Sequence, residues 1–246
     1  MGITINYEGN LDDPGKVWEF ITHMMFKANE WGWPSWEVNE RIIGHAYYPV
    51  SHKVTDTDRP GFQTGQLGLG LKPVDDRVRG LNIQPPGTET LTLTFNRAGK
   101  MVFYTAMPGR LEPAETGLGI GMGIKEEPGF YLEHEVNWVK TTGQIKAHIQ
   151  IVELLRDAQT HFISDLKVDD DTGFWESGDR LQLVREHARM AMIIGIFRDP
   201  EMVRGLLAAA GIEGITEITP VSTEDLTFTE KKPDHTKTWG MSANEN

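Results

Sequence analysis

The densest array of groups able to do chemistry lies in DLKVDDDTGFWESGD, residues 165–179. Asp169, Asp170, Asp171, Glu176 and Asp179 put five carboxylates within eleven residues, beside Phe174 and Trp175. Carboxylates this close repel unless a cation neutralises them, and hard divalent cations such as Ca²⁺ or Mg²⁺ take several oxygen ligands at once. Asp169, Asp171 and Glu176 are therefore the candidate metal ligands, and a divalent cation is the one cofactor the sequence suggests. The spacing departs from the calcium-loop pattern. Counted from Asp169, glycine falls fifth rather than sixth, and no glutamate stands twelfth. The competing reading is a strand end, a solvated Asp-Thr-Gly turn and a helix start that welcomes Asp179 through its dipole.

Histidine offers the next chemistry. The chain has eight histidines and no cysteine, so thiolate nucleophiles, disulfides and cysteine-ligated zinc are all excluded. No HExxH pattern occurs. His148 and His187 each fall in the apolar stripe of an expected helix, where burial can shift a titratable group towards catalytic use. They are the candidate general bases or additional ligands. The alternative is a core histidine hydrogen-bonded to a carbonyl or carboxylate. Around Glu133-His134-Glu135, strand alternation sends His134 to one face and both glutamates to the other.

Aromatic groups supply candidate binding surface. Trp31, Trp33 and Trp36 in WGWPSW, with Trp175, combine large apolar area with a polar handle. At a helix end the same residues also serve to close a core. The Gly-rich runs match neither GxGxxG nor GxxxxGK(S/T), and no GxSxG elbow is present.

These groups need elements to hold them. Ile3, Ile5 and Tyr7 alternate with polar residues as a strand does, and Asp12 or Asp13 with Pro14 opens a helix whose stripe runs from Val17 to Trp31. A strand is expected over 36–48, then a long loop over 49–79. Strands follow at 79–84, 90–95 and 101–105, the last two joined by an NRAGK turn. Residues 106–133 read as a second long loop. Its Gly-alternating run 116–128 echoes 64–73, and the two are expected to pair as an apolar flap.

A second strand–helix–strand stretch runs from 134 to 168, with Thr141 and Gln144 in a capping-box pattern. Ser177 is expected to cap a third helix bearing Leu183, His187, Met190, Ile194 and Phe197, and Asp199-Pro200 to open a fourth. The expected fold is α+β: two strand–helix–strand units around a mainly antiparallel sheet, with two additional C-terminal helices. Residues 1–211 are expected to form one domain, with 1–48 and 134–169 as candidates for internal duplication. Residues 212–246 form an extension whose end, 230–246, is expected to be mobile.

With 39% hydrophobic and 24% charged residues, the 246-residue chain is ordinary for a globular protein, and no run is apolar enough for a membrane helix. Its net charge of −12 disfavours nucleic acid. A start lacking both a basic region and an apolar run sets the expectation of a cytoplasmic protein. Three functions remain open. The first is a non-catalytic binding or interaction protein for another protein or a small molecule. The second is a metal-assisted hydrolase built on Asp169, Asp171 and Glu176. The third is a small-molecule-binding regulator with Gly-rich flaps.

Overall fold

The computed structural model describes residues 2–55, 63–116, 119–193, 200–212, 215–220 and 226–230. The chain is mixed α+β and divides into two compact units, residues 2–171 and residues 172–246 with Met1. That division falls at 171/172, whereas the sequence reading placed its boundary at 211/212. The expected mobile tail, apart from Glu230, lies outside the described residues, as do Ile194, Phe197 and Asp199.

In the larger unit the elements follow in the order β1 (Thr4–Glu8), α1 (Val17–Glu30), β2 (Ser35–Thr55), β3 (Gln63–Ile83), β4 (Leu91–Phe95), β5 (Phe103–Thr116), β6 (Gly119–His134), β7 (Asn137–Lys140), α2 (Ile145–His161) and β8 (Lys167–Asp170). β1 lies between β7 and β8 and is antiparallel to both, so β7, α2 and β8 make a split β-α-β crossover. The second sheet runs β4-β3-β2-β6-β5.

Alternation in β1 buries Ile5 and Tyr7, and Ile3 just before the strand is buried on the same face. The stripe of α1 buries Val17, Phe20, Ile21, Met24 and Ala28. Phe20 joins the layers, meeting Phe95 edge-on at 5.1 Å and Phe162 at 5.5 Å between ring centres. Asp13 accepts the Gly15 N–H before α1, while the Asp12 carboxylate accepts from the Ser164 backbone N–H and hydroxyl.

The reading of 49–79 and 106–133 as long loops is overturned. β2 and β3 are 21-residue strands in register from Ser35↔Ile83 to Thr55↔Gln63, and β5 pairs with β6 from Phe103↔His134 to Thr116↔Gly119. The two Gly-alternating runs do not pair with each other, because each pairs within its own hairpin. Glycine sits comfortably in these strands where a neighbour covers it. The Tyr48 ring lies across its cross-strand partner Gly70, where an added Cβ would meet ring carbon at 2.5 Å. The hairpins meet in a short parallel ladder, His45↔Phe130 to Tyr47↔Leu132. Beyond it a bulge carries the pairing from Met107↔Phe130 to Gly109↔Glu126.

The smaller unit contains α3 (Phe174–Ser177), α4 (Arg180–Ile193), α5 (Pro200–Ala209) and the antiparallel pair β9 (Ile215–Pro220) and β10 (Leu226–Glu230). Asp179, not Ser177, caps α4: its carboxylate accepts the Leu181 and Gln182 N–H groups, while the Ser177 hydroxyl accepts the Asp179 N–H. No helix among the described residues is long and apolar enough to cross a membrane.

Candidate functional site

The acidic stretch is divided by strand geometry. In β8, Asp170 stands opposite Ile5, whose other neighbour is Val139, so alternation turns its side chain into the core. Asp169 and Asp171 are exposed, and the Asp171 carboxylate accepts the Thr4 N–H at 2.8 Å. Glu176 is exposed on α3 and belongs to the smaller unit, as does the half-buried Trp175.

A carboxylate placed inward must be partnered, and α2 supplies the partner. His148 Nε2 lies 3.1 Å from Asp170 Oδ2, and His148 Nδ1 lies 2.8 Å from Thr141 Oγ1. The capping box expected at Thr141 therefore does not form, because the hydroxyl engages the imidazole and α2 carries no side-chain N-cap. A hydroxyl, an imidazole and a carboxylate in a row are the parts of a nucleophilic relay. Here Thr141 and His148 have no exposure and the Asp170 side chain has none. The row ties α2 to β8 and to the turn that precedes α2. His187 is equally buried, on α4 of the smaller unit.

Among the tryptophans, Trp31 and Trp33 lie at the end of α1 with ring centres 4.8 Å apart, and Trp33 is buried. Trp36 stands on β2, exposed.

The surface best built for binding lies around Glu133-His134-Glu135, which sequence reasoning placed on a strand without assigning it a ligand. Where β6 ends and β7 begins, His134 stacks on its cross-strand partner Phe103 at 4.2 Å. Trp138 sets its edge against both rings, at 5.2 and 5.3 Å. Beside them opens a cavity of about 590 Å³ walled by Leu69, Leu132, Val136 and Trp138, with Glu8, Glu133 and Glu135 also lining it. Three of the wall residues are unusually open for their type: Leu69 is 54% exposed, Val136 43% and Trp138 36%. No known protein family, curated protein or solved structure matches this chain. The geometry of the cavity therefore carries the functional argument by itself.

The carboxylates differ in how firmly they are held. Glu133 is buried; its Oε1 accepts from Lys72 Nζ at 2.7 Å, and Lys72 also lies over the Tyr48 ring. Glu133 Oε2 is buried without a hydrogen bond among the described residues. Glu8 and Glu135 pair at the surface with Lys167 and Lys100. Exposed pairs of this kind contribute about 0–1 kcal/mol, so an incoming cation can replace either lysine at small cost.

Burial holds the His134 imidazole below its ordinary pKa. The folded chain thus binds this proton less readily than the unfolded chain. The resulting stability is present above the unfolded imidazole pKa, about 6.5, and is lost as pH falls through and below it. Thermal unfolding between pH 8 and pH 5 is expected to show a steeper acid-side decline in the native chain than in His134→Phe. Parallel curves would show that His134 does not contribute in this way.

Proposed function

We propose that this chain is a non-catalytic binding protein, and that its partner inserts an apolar group carrying a positive charge into the cavity beside Trp138. The observation that carries this reading is the combination of an open apolar wall, Leu69, Leu132, Val136 and Trp138, with three carboxylates at the same cavity. Apolar burial supplies affinity, an aromatic wall attracts a cation, and fixed carboxylates select its sign. A basic, apolar segment of another protein matches this chemistry. The volume also lies within the range used for small ligands, roughly 300–1,000 Å³, which makes a small cationic amphiphile the second occupant to test.

The test uses 4-phenylbutylamine as probe and 4-phenylbutanoate as its matched anion. Tryptophan fluorescence is expected to respond saturably to the amine and more weakly to the anion. Trp138→Ala is expected to weaken amine binding tenfold or more, as loss of a central tryptophan does at binding surfaces. Equal binding of amine and anion, or undiminished binding by Trp138→Ala, would overturn the reading.

A further inference from the structure

A second cluster of side chains lies away from the cavity, between α1 and α2. Asp157 and His161 stand four residues apart on α2, a spacing that places both on one helix face. His23 reaches them from α1. His23 Nε2 lies 2.5 Å from Asp157 Oδ2, and His161 Nδ1 lies 3.7 Å from Asp157 Oδ1. One ligand atom from each of the three residues lies within 4.8 Å of the other two. Phe162 braces the arrangement, with its ring 5.4 Å from His23 and 5.5 Å from Phe20.

We propose that His23, Asp157 and His161 bind a divalent transition-metal ion of the zinc class. Two imidazole nitrogens and one carboxylate oxygen form a donor set found at zinc sites that keep a fourth position for water. Mg²⁺ and Ca²⁺ prefer all-oxygen shells, and the site offers no thiolate to a soft ion. The group is positioned for entry: the side chains of His23 and His161 are 34% and 51% exposed, and that of Asp157 is 19% exposed. His161 Nδ1 also lies 2.9 Å from the Asp157 carbonyl, a bond that leaves Nε2 as the alternative ligand atom. The carboxylate already attracts a cation, since Lys27 Nζ stands 3.6 Å from Asp157 Oδ1. A bound metal displaces this ammonium, so Lys27 acts as an internal competitor.

Chelator-stripped, tag-free chain is titrated with Zn²⁺ against a chromophoric zinc indicator, and thermal unfolding is followed in parallel. The expected result is one zinc per chain, a raised unfolding temperature, and no equivalent response to Mg²⁺ or Ca²⁺. His161→Ala removes a half-exposed ring and is expected to fold normally in chelator while binding zinc at least tenfold more weakly. Lys27→Met is expected to bind several-fold more tightly, a gain that a purely structural ion pair would not produce. Failure of the folded native chain to bind zinc, or native affinity in His161→Ala, would overturn the proposal.

Discussion

Replacing Asp170 with Ala is expected to lower the unfolding free energy by about 1–3 kcal/mol, the usual consequence of removing one partner of a buried hydrogen bond. His148 and Thr141 would then keep their polar atoms in a core closed to water. His148→Ala should be comparably costly, since it removes the imidazole that stands 3.1 Å from the buried Asp170 carboxylate. Urea unfolding measures both. The double variant Asp170→Ala/His148→Ala is expected to cost less than the sum, because partners that act together are not additive. Simple addition of the two losses, or losses below about 1 kcal/mol, would show that the row is not a structural tie.

Gly44→Ala is the second substitution with a large expected effect. Gly44 has φ +147°, and an added Cβ would lie 2.0 Å from the Gly129 carbonyl oxygen, with Gly129 itself at φ +85°. This contact adjoins the ladder that joins the two hairpins, where Tyr47 stands opposite Leu132 of the cavity wall. Relief requires the two strands to separate, so a loss of about 3 kcal/mol or more is expected, together with weaker probe binding. Gly32→Ala is the control: its φ is +70°, but an added Cβ would meet nothing within 4 Å. It should cost only the backbone term, about 1–2 kcal/mol. Equal losses at the two positions in urea unfolding would contradict the steric argument.

Much of the secondary structure around the core was legible because periodicity and burial agree there. β1 alternates, α1 and α2 carry regular stripes, and the Asn96 side chain makes the expected turn by accepting the Ala98 and Lys100 N–H groups. The two hairpins were not legible. Their Gly, Pro and Asp content is that of a loop, and what stabilises it in a strand is the paired neighbour, as Tyr48 is for Gly70. Alternation in GQLGLGL was the available signal, since period two is a strand signature even when glycine takes the second place.

The sites show the same division. His148 could be picked out because a polar group interrupts an apolar stripe, but its partner is fixed by the register of β8 against β1. The zinc-class cluster was half visible in the four-residue spacing of Asp157 and His161, while His23 lies 134 residues away and is brought in only by helix packing. The cavity beside Trp138 depends on Leu69 of β3 meeting the β6–β7 corner. No local pattern encodes that meeting.

The most direct measurement of the binding account is an amide chemical-shift map of the isotope-labelled chain titrated with 4-phenylbutylamine. The account predicts saturable shifts concentrated at residues 69–71 and 132–138, and their loss in Trp138→Ala. Shifts centred elsewhere, for example at Trp31 and Trp33, or a response that never saturates, would contradict it.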